Sequence, residues 1–285
     1  VSRNNEDRLG LGAPAPDVSP PPLVTSQQNE DLFSFVTPTE FIDLPSQGRY
    51  YAEGHPLHGK SSVEIKHMTA KEEDILTSES LLRKGIAIDR LLQSLIVDKS
   101  IKIDELLVGD KNALIIGARA TGYGPHYETR VGCPVCTTQQ SVNFDLDNLT
   151  VHHSEVPEEV HASENNTYFV VLPKCGLQVE LRLLTGAQEK AYSEGTERKR
   201  KQKLPSSIAT DLLRLMVVSV NGRTDAATIN KFLEVLPIQD SVHIKSVYEK
   251  ISPDVDLTHD FICVSCNHDG RVAVPLTAGF FWPKR

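Results

Sequence analysis

Cys133-Pro134-Val135-Cys136 and Cys263-Val264-Ser265-Cys266 are the two stretches on which the reading of this chain turns. Each is a CxxC flanked by extended sequence. Glu128–Gly132 precedes and Ser141–Leu146 follows the first; Asp260–Ile262 precedes and Arg271–Leu276 follows the second. A CxxC sets two sulfurs on one side of a tight turn, and two such turns facing each other make a tetrahedral sulfur cage suited to zinc. The pattern predicts two β-hairpins joined at a metal, a zinc ribbon, with Cys133, Cys136, Cys263 and Cys266 as ligands of one structural Zn²⁺. Four thiolates complete the shell, so a catalytic zinc with an open position is not expected.

Other readings of the cysteines stand beside zinc. A thiol–disulfide pair usually opens a helix, where the thiolate is activated, and neither CxxC does so. An iron–sulfur centre also accepts four cysteines. Four metal-free thiols are the remaining case. His268 is a potential substitute ligand but reads as a turn residue in Asn267-His268-Asp269-Gly270, and Cys175 reads as an unligated thiol at a turn.

The gap between the motifs is unusual. Common zinc ribbons have roughly 15 to 20 residues there, whereas 126 separate Cys136 from Cys263. The gap holds a predicted strand pair, Asn166–Pro173 and Gly176–Thr185, with a turn at Pro173–Gly176. Helical stretches follow: one after Gly186 carrying the basic run Arg198–Lys203, then Ser207–Val220, Ala226–Leu236 and Ser241–Ile251, the last two separated by Pro237. The ribbon is therefore expected to be split by an inserted domain.

Upstream, Phe41–Tyr51 reads as an extended piece with a turn at Ser46-Gln47-Gly48. Ser61–Met68 alternates as a strand, with Val63, Ile65 and His67 on one side. Met68–Gly85 reads as a helical segment whose Thr69 and Glu72 have capping-box spacing, and Leu81–Ile96 continues it after a break near Gly85. Ile103–Gly124 gives another helix, with Leu114, Ile115 and Ala118 on one face and Gly122 and Gly124 stopping it. Residues 1–38, rich in Pro, Ser and Gln, bury too little to offset their ordering entropy and are expected to be a disordered arm.

Composition excludes several classes. The chain has 285 residues, 39% hydrophobic and 24% charged, with a formal net charge of −8. That charge disfavours broad contact with nucleic-acid phosphates. No apolar run approaches the roughly 18 to 20 residues of a membrane span; the longest, Leu212–Val220, contains Arg214. The start VSRNNEDRLG has no signal-peptide pattern, so a cytoplasmic location is the default expectation. Phosphate-binding, HExxH, GxSxG and EF-hand motifs are absent. His152-His153 reads as a solvated loop. Glu72, Glu73 and Asp74 read as complements to a helix dipole.

Three phrases carry a family resemblance: LPSQGRYY (44–51), MTAKEEDIL (68–76) and GDKNALIIGARATGYG (109–124). With the first CxxC they resemble the baseplate hub and hub-assembly proteins of T4-like contractile-tailed bacteriophages, over roughly residues 40–148. The second CxxC and Phe232–Leu257 also fit. The resemblance implies a non-enzymatic structural or assembly role, as a part of the hub or as a chaperone of it, and carries no catalytic residues.

The expectation is an α+β protein with four parts: a Pro-rich arm (1–38), a mainly helical region (39–127), ribbon halves (128–150 and 257–285) and an insert of strand pair and helices (151–256). Expected partners are other phage baseplate hub or tail proteins, with no small-molecule substrate, membrane or nucleic acid. The expected location is the infected bacterial cytoplasm, with the virion tail baseplate as the other place. Candidate contact surfaces are the Thr69–Ile96 helices, the insert helices and Phe280, Phe281 and Trp282, an aromatic cluster that either packs internally or marks an interface. The alternative is a zinc-ribbon nucleic-acid-binding or regulatory protein using Arg198–Lys203.

Overall fold

Strands β1 (Thr39–Asp43) and β2 (Ser62–Lys66) pair antiparallel, with Phe41 opposite Glu64. They belong to a computed structural model that describes residues 37–163, 165–203, 207–274, 276 and 278–281. The expected Pro-rich arm, up to residue 36, and Trp282 lie outside the described residues. Val63 and Ile65 of β2 are buried, as their alternation requires. The loop after β1 turns at Gln47 and Gly48, both at positive φ. Gly48 cannot carry a side chain: a Cβ would sit 2.4 Å from the Lys60 amide nitrogen.

Three short helices follow, α1 (Ala70–Thr77), α2 (Glu79–Lys84) and α3 (Ala87–Leu95). The capping box of Thr69 and Glu72 is present. The single helix expected over Met68–Gly85 is broken at Ser78, whose extended backbone ends α1 and caps α2. Gly85, at φ 69°, closes α2. Glu72 does more than complement a dipole. It is buried and accepts from the Ser94 hydroxyl at 2.6 Å, fastening α1 to α3.

Helix α4 (Val108–Tyr123) is the centre of the structure. The predicted face of Leu114, Ile115 and Ala118 is buried, but so are Gly109, Asp110, Lys111, Ala113, Ile116 and Arg119. A helix buried on most sides belongs in the core. Its buried polar groups are partnered. Asp110 accepts from the Ser46 amide (3.0 Å), the Ser46 hydroxyl (2.6 Å) and the Tyr51 hydroxyl (2.6 Å). Burial pushes the Asp110 carboxyl up, against the pull of these donors. Arg119 donates to three carbonyls, those of Phe280, Gly124 and His126.

The rest of the chain alternates hairpins and helices. Strands β3 (His126–Gly132) and β4 (Gln139–Asp145) form the first CxxC hairpin. The segments β5 (Val151–His152), β6 (His161–Ala162), β7 (Thr167–Val171) and β8 (Gln178–Arg182) come next. After α5 (Gly186–Lys201) and α6 (Ile208–Met216) comes β9 (Val217–Val220). Helices α7 (Ala226–Val235) and α8 (Ile238–Ile251) lead to β10 (Asp254–Val255). Strands β11 (Thr258–Ile262) and β12 (Asp269–Ala273) form the second CxxC hairpin.

Several expectations need correction. The predicted strand pair is the middle of a four-stranded antiparallel sheet ordered β6-β7-β8-β9. Its fourth strand comes from the stretch read as helix over Ser207–Val220. That helix stops at Met216, because Val217–Val220 is rich in β-branched residues and finds the free edge of β8, where the Ser219 hydroxyl also donates to Glu180. Helix α8 starts at Ile238, three residues before the predicted Ser241, since a proline is well tolerated at a helix start. His152 is not in a free loop: it pairs with Asp254 in the β5–β10 ladder, and its neighbour His153 contacts the Pro45 carbonyl at 3.1 Å. Of the two readings of Phe280 and Phe281, internal packing is the one found. Both are 0% exposed, and Phe280 packs edge-on against Tyr127 at 4.8 Å.

A close approach locks α4 to the returning chain. A Cβ on Gly109 would meet the Pro253 carbonyl oxygen at 2.0 Å, a backbone atom that cannot swing aside. Helix propensity alone predicts that Gly→Ala stabilises by about 1 kcal/mol. At Gly109 the clash reverses the sign, and Gly109→Ala is expected to destabilise by about 1–3 kcal/mol. Gly195, mid-helix in α5, has nothing within 4 Å of its missing Cβ, so Gly195→Ala should stabilise by about 0.5–1 kcal/mol. Urea denaturation of the two variants tests the opposite signs.

Candidate metal centre

The two CxxC turns repeat one backbone pattern at equivalent positions. In the first, the Cys133 amide donates to the Thr138 carbonyl and the Thr137 amide to the Cys133 carbonyl, each at 2.9 Å. In the second, the Cys263 amide donates to His268 and the Asn267 amide to Cys263, again at 2.9 Å. Thr137 (φ 59°) and Asn267 (φ 53°) take the left-handed conformation that closes each turn. An amide two residues on points at the first sulfur in both: Val135 to Cys133 and Ser265 to Cys263, each at 3.4 Å. The turn expected at Asn267–Gly270 is shifted, because Asp269 and Gly270 already belong to β12 and the CxxC itself makes the bend.

Folding brings all four sulfurs together, across the whole insert. Cys133 Sγ lies 3.7 Å from Cys266 Sγ, and Cys136 Sγ 3.5 Å from Cys263 Sγ. All four Sγ atoms lie within 4.8 Å of one another. These separations are far from the ~2.05 Å of a disulfide. A tetrahedral ion with Zn–S bonds of about 2.3 Å has sulfur–sulfur edges of about 3.8 Å. The donor set therefore fits a tetrahedral soft ion. Cys133 and Cys263 are buried, Cys136 is half-buried and Cys266 is exposed, so the cluster is walled on one side and open at its rim.

The hairpins do not share a sheet. Besides the cysteines, Gln140 bridges them. Its side chain accepts from the Val264 amide and donates to the Ile262 carbonyl, both at 3.0 Å. Nearer the base, Phe144 of β4 meets His259 of β11 edge-on at 5.3 Å. Sequence reading missed Gln140, since a polar residue on an exposed strand face carries no local signal. It also missed Arg119, which anchors the Phe280 carbonyl beside the base of the first hairpin. His268 lies outside the sulfur cluster, and Cys175 sits instead near Asp240, which accepts from the Cys175 amide at 3.0 Å.

The thiols are electrostatically unequal. The Thr138 hydroxyl and amide draw Cys136 down to about 6. For Cys266, the His268 amide favours the thiolate, but burial and the neighbouring sulfurs outweigh it and push the group up to about 12. A cluster that resists its last deprotonation is what a cation would relieve.

The chain belongs to the family of T4 bacteriophage base plate proteins, whose model matches residues 39–282. The match takes in both CxxC hairpins and everything between them, and places the chain among phage baseplate proteins. Neither a curated protein nor a solved structure matches it. Among the described residues no helix is long and apolar enough to cross a membrane.

The asymmetry of the thiols is open to measurement. In reduced, metal-free protein, iodoacetamide at neutral pH should label Cys136 first, with a rate that rises through a midpoint near 6. Thr138→Val should move that midpoint upward, because the thiolate loses its hydroxyl donor. Peptide mass spectrometry across a pH series reads both outcomes.

Proposed function

We propose that this protein is a structural or assembly component of the hub of a contractile tail baseplate, acting through protein–protein contacts and holding one structural zinc ion on Cys133, Cys136, Cys263 and Cys266. The observation that carries the baseplate reading is the family match over residues 39–282. The sulfur separations of 3.5 and 3.7 Å support the zinc, as does a donor set of four cysteines on paired β-turns. In this reading the two hairpins are a zinc ribbon split by the insert, and the ion acts as a clamp. Its chemistry is binding alone, since four thiolates leave no position for a substrate. The protein works in the cytoplasm of the infected bacterium and is either carried into the virion tail or left behind after assembly.

The basic run does not favour the nucleic-acid alternative. The formal net charge of −8 disfavours phosphate contact, and within the run Lys199 is tied to Asp211 and Ser207. Arg198, Lys199, Arg200 and Lys201 occupy the last turn of α5, where positive charge complements the helix dipole.

Four experiments test the proposal. Elemental analysis of protein purified without chelator should give about one zinc per chain, and Cys263→Ser should lose most of it. Chelation under reducing conditions should speed hydrogen exchange in residues 128–145 and 258–273 while α4 stays protected; unchanged exchange would remove the clamp. Phage lacking the chain should accumulate heads without completed tails, and a plasmid copy should restore them. Normal baseplates without the chain would refute the hub role. Mass spectrometry of mature virions against assembly intermediates separates a permanent part from a departing chaperone.

A further inference from the structure

A groove of about 840 Å³ lies between the α2–α3 segment, α4 and α5. Its apolar lining includes Ile88, Ile115 and Leu276, of which Ile115 is buried while Ile88 and Leu276 remain half-buried. Helix α5 forms one wall from Glu189 to Lys201, a length of about 18 Å at 1.5 Å per residue. Among its 16 residues only Gly186 is buried, and the rest are half-buried or exposed beside the core. A long helix flanking an apolar trough is the geometry that receives an amphipathic helix from another protein.

The charge at the groove points one way. Six cationic and four carboxylate side chains line it, an excess of two positive charges on a chain whose formal net charge is −8. Two of the carboxylates, Asp89 and Glu189, are already engaged by Lys111. The mouth carries Arg83 and Lys84 from α2 and Arg200 and Lys201 from α5. Arg83, Arg200 and Lys201 have side chains 78%, 77% and 74% exposed. Their ion pairs, to Glu79 and Glu197, lie within their own helices; such exposed pairs contribute little and exchange readily for an incoming carboxylate.

We infer that this groove receives an acidic amphipathic segment of a partner protein, its apolar stripe on Ile88, Ile115 and Leu276 and its carboxylates against Arg83, Lys84, Arg200 and Lys201. The inference rests on the protein-contact reading above and adds the place and the chemistry of one contact. It also gives α5 a role that the fold does not, since the helix buries little of itself.

The test uses the full chain and a short synthetic amphipathic helix with leucines on one face and glutamates on its flanks. A matched peptide with lysines for glutamates and a short duplex DNA serve as the other probes. The glutamate peptide should bind, weaken with salt, and lose about tenfold or more in affinity in the variant R83E/K84E/R200E/K201E. Circular dichroism and thermal melting check that this variant is folded; if it is not, R83Q/R200Q and the salt dependence of the wild type give the same reading. Equal binding of both peptides, undiminished binding by the variant, preference for DNA, or a groove closed by self-association in sedimentation would each overturn the inference. Co-purification from infected cells separates it from its parent. A charge-reversed variant that still carries the same tail proteins as wild type removes the groove and leaves the protein-contact reading standing. A wild type that carries no tail protein removes both.

Discussion

The juxtaposition of four sulfurs from opposite ends of an insert is the constraint around which this protein is organised. Cys136 and Cys263 are 127 positions apart, yet their sulfurs lie 3.5 Å from each other. Closing a loop of that length costs about 4–5 kcal/mol of chain entropy. A four-thiolate zinc site is worth about 10–16 kcal/mol in apparent binding, so a bound ion would exceed the closure cost severalfold. The hairpins themselves supply little else at their tips, where Gln140 is the polar bridge and the two sheets remain separate.

The ion would not work alone, because the core already draws the chain ends of the insert together. Helix α4 is the common support. At its N-terminal end, Gly109 lets the Pro253–Asp254 backbone pass close enough that a single methyl group would not fit. At its C-terminal end, Arg119 holds the carbonyls of Gly124, His126 and Phe280, which fixes the start of β3 and the residues after β12 to one side chain. Phe280, Tyr127 and Phe144 then stack across the base of the first hairpin. A buried guanidinium without a carboxylate partner is costly unless it is well engaged, and here three carbonyls and the rings of Tyr123 and Tyr127 engage it. The sulfur cluster therefore sits at the end of a closure that α4 prepares.

This division of labour suits a baseplate protein. The rigid part is built from local helices, short hairpins and one central helix. The outer faces of α2 and α5 are left free of core duties. The intrahelical ion pairs on those two helices are exposed and contribute little to stability.

Much of this was legible in the chain itself. Two CxxC motifs with strand-like flanks announced the paired turns, because metal-binding geometry restricts both residue type and spacing. The capping box at Thr69, the stop at Gly85 and the turn at Pro173–Gly176 are local features, and local sequence specifies them. The tertiary structure decided what depends on distant partners. Val217–Val220 became a strand because β8 offered an edge. Phe280 and Phe281 went inside because Arg119 and Tyr127 stood ready to receive them. Asp110 was buried because Ser46 and Tyr51 could satisfy it. Gly109 had to be glycine because of a backbone 144 positions further on. Residue type and spacing determine the chemistry of the four cysteines, whereas only packing against α4 determines that they meet.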